Sequence, residues 1–131
     1  MVSISSLKTI GNDNRGATFS FENDRTGEFI VIQRRKDSIS GCEYHTGIHP
    51  SKSPEKLVIL SGTVLLEWVD LNSDEFGEAE IIAPAAISIP AMVWHRIITL
   101  EDAIILEQNG LDAAKDTIKV LEHPLKKRKA G

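Results

Sequence analysis

Apolar residues in this chain come in short runs, and turn-forming residues interrupt the runs at close intervals. Phe29 to Ile32, Leu57 to Leu60, Val64 to Leu66 and Ile104 to Leu106 are such runs. Between them lie Asn23-Asp24-Arg25-Thr26-Gly27, Lys36 to Gly41, Leu71 to Gly77 and Pro84. The spacing leaves no room for a long amphipathic helix and reads as an all-β chain. About nine strand-like segments are expected, which suits a sandwich or a barrel. They include Ala17–Glu22, Glu28–Arg35, Cys42–Thr46, Glu80–Ala83, Ala86–Ile89, Val93–Leu100 and Ala103–Gln108. Lys56 to Asp70 reads as two runs with a bend at Gly62, and Glu101-Asp102 reads as a turn. His49 to Pro54 reads as a loop, because its two prolines withhold two donors. A short helical turn is expected within Asp112 to Val120.

With 131 residues, one domain is expected. Its parts would be an arm or edge strand over 1–15, a barrel over 16–110 and a C-terminal segment over 111–131. The single cysteine, Cys42, has no internal partner, and a reducing cytoplasm is its simplest home. Neither a signal peptide nor an apolar run long enough for a membrane span is visible. The formal charge is −4, but Lys126, Lys127, Arg128 and Lys129 supply four of the 15 basic residues. Without them 11 basic residues face 19 acidic ones, a balance of −8. A body that acidic repels phosphate backbones, so nucleic acid is not an expected partner. The basic tail reads as a solvated end.

Histidine is scarce: there are four. His45 and His49 precede Glu55, and His95 follows Pro90. Imidazole and carboxylate are the ligands that Zn, Mn, Fe or Ni accept. In a barrel alternate residues face inward, so distant strands can bring these groups together. Glu55 would share a face with Leu57 and Ile59, and His95 with Ile97 and Thr99. That gives a polar head above an aliphatic floor, a usual pocket design. Glu107 would face inward beside His95 as a second carboxylate. Arg34 and Arg35 end a strand. One of them would enter the barrel and hold a carboxylate or phosphate, and Arg35 is the candidate chosen. Trp94 should point away from the pocket, with Trp68 in a similar place, and His123 should lie on the surface.

The stretches His45 to Gly62 and Pro90 to His95 resemble the two motifs of the cupin superfamily. Glu55 stands six residues before Gly62 (EKLVILSG), and Pro90 keeps its spacing to His95. The histidine pair departs from the pattern, with three residues between His45 and His49. The resemblance covers roughly Glu28 to Gln108. It implies a single-domain jelly-roll barrel, with a divalent metal held by His45, His49, Glu55 and His95. It also implies His95 and Glu55 as catalytic groups acting on a small molecule, in a dioxygenase- or isomerase-like reaction. The run IPAMVWHRIITLEDAIIL also resembles cupin-type deoxysugar ketoisomerases and epimerases. That likeness implies a metal-free enzyme with His95 or His45 as the base and an arginine on a sugar nucleotide's phosphates. A non-catalytic binding or sensor module is the third reading. Apolar faces left over, at Trp68 and the Ile104 run, suggest a homodimer.

Overall fold

A computed structural model describes residues 1–109 and 115–125. The basic cluster at 126–129 and the start of the expected helical turn, 112–114, lie outside the described residues. Ten strands are present among the described residues: β1 (Ser3–Ser6), β2 (Lys8–Asp13), β3 (Gly16–Ser20), β4 (Ile30–Arg34), β5 (Ile39–Tyr44), β6 (Glu55–Asp70), β7 (Phe76–Ile82), β8 (Ala85–Ile89), β9 (Val93–Glu107) and β10 (Ile118–Lys119). All pairings are antiparallel. No helix of the described residues is long and apolar enough to cross a membrane.

Two strands are longer than the sequence suggests. β6 and β9 pair along nearly their whole length, from Leu57 opposite Glu107 to Asp70 opposite Val93. The expected turn at Glu101-Asp102 is part of β9, and the bend at Gly62 is part of β6. Register shifts between Ile59 and Val64 take up the irregularity, so turn-forming residues mark a bulge here rather than a chain reversal. Gly62 has φ +87°. A β-carbon there would overlap the Asp102 carbonyl oxygen and lie 2.8 Å from Ala103 Cα. Only glycine lets the two long strands cross this closely.

The other strands attach to this spine. β8 pairs with the first part of β6 and β7 with the second. β5 pairs with the first part of β9 and β4 with the second. β1 extends the sheet beyond β8, and β10 extends it beyond β5. Ile118–Lys119 is therefore extended rather than helical. The inner residues Leu57, Ile59, Leu66, Ile87, Ile97 and Ile105 are buried in one apolar core. Trp68 packs against that core and sits opposite His95, on the same face. The expectation that it points outward is corrected: alternation from Leu66 carries it inward.

A second cluster forms on the outer face around Trp94, with Cys42 and Val69. The C-terminal segment closes it. Trp94 Nε1 donates to the Val120 carbonyl at 2.7 Å, and the His123 ring packs edge-on at 5.2 Å. His123 is thus partly buried, not simply a surface residue. β2 and β3 form a separate hairpin whose residues are exposed almost throughout.

Candidate active site

Alternation along β6 and β9 turns Glu55 and His95 inward. Glu55 begins β6 and is 3% exposed, and His95, near the start of β9, is also 3% exposed. His45 follows the end of β5 and is 2% exposed. The three converge. His45 Nε2 lies 2.8 Å and His95 Nε2 3.3 Å from the same Glu55 oxygen, Oε2. The rings stand 5.5 Å apart. On the other side of the carboxylate, Lys52 Nζ is 3.4 Å and Asn109 Nδ2 3.5 Å from Oε1. Lys52 is itself buried, so its pairing with Glu55 is an interior contact rather than a surface one.

The protonation of this cluster follows from its contacts. His45 Nδ1 faces the Asp116 carbonyl at 2.7 Å, and a carbonyl only accepts, so Nδ1 carries a proton. Burial by itself pushes the His45 pKa down, but the contact and charge of Glu55, with help from that carbonyl, outweigh burial and raise it. Burial likewise pushes Glu55 up. The neighbouring His45, His95 and Lys52 outweigh it and hold the carboxyl at about 2. Glu55 is therefore held as a carboxylate, and its charge favours the protonated form of His45. The two atoms approach to 2.8 Å, but neither Glu55 Oε2 nor His45 Nε2 has a well-aligned hydrogen bond.

Asp116 builds the wall behind His45. Its carboxylate accepts from Thr46 N and Oγ1 at 2.8 and 2.6 Å, from Gly47 N at 2.9 Å and from His49 N at 3.2 Å. Although desolvation opposes it, the hydrogen bonds from Thr46, His49 and Gly47 hold Asp116 at about 2. The side chain is only 8% exposed, a burial that suits its closed set of donors.

In front of the cluster lies a cavity of about 480 Å³. Leu57, Ile97, Ile105 and Ile32 line its apolar part. Glu55, Glu43, Glu107, Arg34 and Lys119 supply charge, and His95 supplies an imidazole. His45 is not in the lining; it stands behind Glu55. Glu107 has its pKa raised, first by burial and then by the charge of Glu55.

Two expected site residues fall elsewhere. His49 is not brought to the cluster. It caps the 3-10 turn Pro50–Lys52, with Nδ1 accepting from Ser51 N at 3.2 Å. Proline at the first position starts that turn, and the cap holds the imidazole on the loop. Arg35 is exposed beyond the end of β4 and does not line the cavity. Arg34 does, because Ile30, Ile32 and Arg34 share the inner face. Arg34 donates from Nε to Ser40 Oγ at 2.9 Å. Sequence reasoning missed Asp116 and Asn109. Both come from loops, where no period predicts direction.

Three ligand atoms, one each from His45, Glu55 and His95, lie within 4.8 Å of one another. The donor set is right in kind for a divalent metal. Its surroundings are less suited: the Lys52 ammonium is already on the same carboxylate, and a metal held there would sit beside that cation. The residues fit an acid–base centre better.

No family model and no curated protein matches the sequence. Solved structures do. The sugar 3,4-ketoisomerase QdtA from Thermoanaerobacterium thermosaccharolyticum, in complex with TDP, is 20% identical with TM-score 0.70, over 98% of this chain and 93% of that one. The 3'-monoepimerase ChmJ from Streptomyces bikiniensis, in complex with dTDP-quinovose, is 17% identical with TM-score 0.75, over 97% and 72%. The dTDP-4-dehydrorhamnose 3,5-epimerase from Sulfolobus tokodaii is 18% identical with TM-score 0.66, over 95% and 73%. At these identities the likeness establishes architecture alone. The chain is a small single domain with the cupin jelly-roll fold.

Proposed function

We propose that this protein is a metal-free enzyme that moves a proton on a keto-sugar joined to a nucleotide, in the manner of deoxysugar isomerases and epimerases. One observation carries the reading: His95 lines the cavity with Nε2 3.3 Å from a carboxylate that His45 and Lys52 keep ionised. A carboxylate so placed stabilises the imidazolium that a histidine base becomes. The proton next to the sugar carbonyl passes to His95 Nε2, and its electron pair moves into the carbonyl oxygen to give an enolate. Return of a proton to the opposite face of the same carbon epimerises it; return to the former carbonyl carbon, with the proton of the adjacent hydroxyl passing to the enolate oxygen, moves the carbonyl. His45 does not touch the cavity and acts through Glu55 as a positioning residue. Arg34, half-buried in the cavity wall, is suited to the phosphate groups. The neighbours' ligands, TDP and TDP-linked sugars, support this choice of substrate class.

The reading is tested by thermal shift with TDP and TDP-4-keto-6-deoxyglucose. A ligand at a hundredfold excess over its Kd adds about 2.7 kcal/mol, so a clear rise in Tm is expected. Arg34→Gln should remove most of the rise with TDP. No rise with either compound would count against the reading.

A divalent metal on His45, Glu55 and His95 is the second reading, favoured by the convergence of three ligand atoms. It would supply a Lewis acid at the carbonyl. The Lys52 ammonium argues against it.

The protein is also proposed to be a homodimer. The support is the hairpin β2–β3, which projects with Ile10 at 59% and Phe19 at 40% exposure. A lone two-stranded hairpin is marginal in water, and a second copy would cover it. Sedimentation at micromolar concentration should give twice the 14.4 kDa mass; a monomer across the range would refute the dimer.

A further inference from the structure

We propose that the loop Asn23–Arg25 holds Glu55 in place, and that Arg25 is a positioning residue for proton transfer although it lines no part of the cavity. The proposal rests on the reading of His95 as a base backed by Glu55, and it names what fixes that carboxylate.

Glu55 is the first residue of β6. On one side it is held by β8, where it pairs with Ile89. On the other side the ladder to β9 begins only at Leu57, opposite Glu107, so Glu55 and Lys56 lie before it. The loop between β3 and β4 supplies what the ladder lacks there. Arg25 Nη2 donates to the Pro54 carbonyl at 2.6 Å. Lys56 Nζ donates to Asp24 Oδ1 at 2.8 Å. Gln108 Nε2 donates to Asn23 Oδ1 at 2.8 Å. Successive loop residues thus grip the residues on either side of Glu55, and also the residue before Asn109, whose amide lies 3.5 Å from Glu55 Oε1. Gln108 N donates to the Lys56 carbonyl at 3.0 Å, which ties the gripped segments to each other.

The loop is itself preformed. Asn23 Oδ1 accepts from Arg25 N at 3.0 Å, and Asn23 Nδ2 donates to the Arg25 carbonyl at 3.2 Å, an Asx-type turn. Its contacts are unequal. Asp24 is 70% exposed, and an ion pair so exposed contributes little. The Arg25 side chain is only 13% exposed, and its bond to Pro54 is charge-assisted. Arg25 Nη1 is buried with no partner among the described residues, so the Pro54 carbonyl and the Asp24 carboxylate at 3.3 Å are the polar contacts of the guanidinium. Loss of the Pro54 contact frees the peptide that carries the Glu55 nitrogen. Glu55 Oε2 serves His45 at 2.8 Å and His95 at 3.3 Å at once, so a turn of the carboxylate toward one ring forfeits the other. A misplacement of about 1 Å that starts far from the chemistry can cost on the order of a hundredfold in rate.

Exchange kinetics on TDP-4-keto-6-deoxyglucose test this for wild type, Arg25→Met and Arg25→Lys, at a temperature where circular dichroism shows all three folded. Arg25→Met keeps the stem and removes every donor. Its kcat should fall at least about tenfold while KM stays within about twofold, the pattern of a misplaced catalytic group rather than a lost binding contact. Arg25→Lys keeps a charged donor and should recover most of the kcat. A wild-type kcat in Arg25→Met, or a change confined to KM, would overturn the proposal. A wild type without exchange would remove the keto-sugar reading and leave the brace to a second readout, proton NMR of the same proteins. Cross-relaxation between the His45 and His95 rings, 5.5 Å apart, should be lost in Arg25→Met. The Trp94 Nε1 proton, bonded to Val120 on the outer face, should keep its signal. An unchanged contact between the two rings, or loss of both signals together, would overturn the role given to Arg25.

Discussion

Glu55→Gln is expected to lower the unfolding free energy by about 3–5 kcal/mol and to remove proton-transfer activity. The carboxylate is the only acid in contact with both His45 and Lys52 among the described residues, and all three are buried. The amide keeps the shape and discards the charge, so the buried Lys52 ammonium, and His45 when protonated, lose their counter-charge. The wild type should also show a pH dependence that the variant lacks. Glu55 titrates at about 2 in the folded chain, below its ordinary 4.5. Its contribution is complete above about pH 4.5 and is lost as pH falls from there toward 2. The His45 pKa is raised above 6.5, so its contribution is complete below that value and is lost as pH rises through the folded pKa. The pair is thus worth most between about pH 4.5 and 6.5. Urea midpoints taken across that range and down to about pH 3 measure it. A variant that parallels the wild type on the acid side would show that the pair does not exist in solution.

Gly62→Ala is the second large effect. A side chain at φ +87° costs about 1–2 kcal/mol by itself. Here the β-carbon also meets backbone atoms of Asp102 and Ala103, which cannot rotate away. β6 and β9 must separate at the bulge that joins the two parts of the spine. A total loss of about 4 kcal/mol or more is expected, large enough to unfold a marginal domain. Gly27→Ala isolates the backbone term, because Gly27 has φ +92° and open space around its β-carbon position. Similar losses at the two sites, measured by denaturant unfolding, would refute the role given to Gly62.

The same two long strands show what a sequence of this kind reveals. Period-two alternation from Leu57 and Ile59 points Glu55 inward, and alternation from Ile97 points His95 inward; both rules hold in the structure. The rule also selects Arg34 over Arg35, once Ile30 and Ile32 are taken as the inner face. Strand ends are where alternation is least binding, and the choice of Arg35 came from there. Gly62 and Glu101-Asp102 are ordinary turn signals, yet they lie at a bulge within continuous strands, because each strand spans two sets of neighbours. His49 is held off the cluster by a cap that Pro50 makes favourable. Asn109 and Asp116 reach the site from loops, 54 and 71 positions away from the groups they meet. No local pattern encodes such contacts. Lys52, at the end of the 3-10 turn, is only three residues before Glu55, and its burial depends on how that turn packs.

The central claim is that His95, backed by Glu55, moves a proton on a nucleotide-linked keto-sugar without a metal. Incubation of TDP-4-keto-6-deoxyglucose with the protein in deuterium oxide and excess EDTA, followed by proton NMR, tests it most directly. Wild-type protein should replace hydrogen by deuterium at a carbon next to the carbonyl. His95→Asn should reduce the rate at least about a hundredfold, the usual scale for loss of a general base. Exchange that persists at the wild-type rate in His95→Asn, or exchange that EDTA abolishes and added metal restores, would contradict the account.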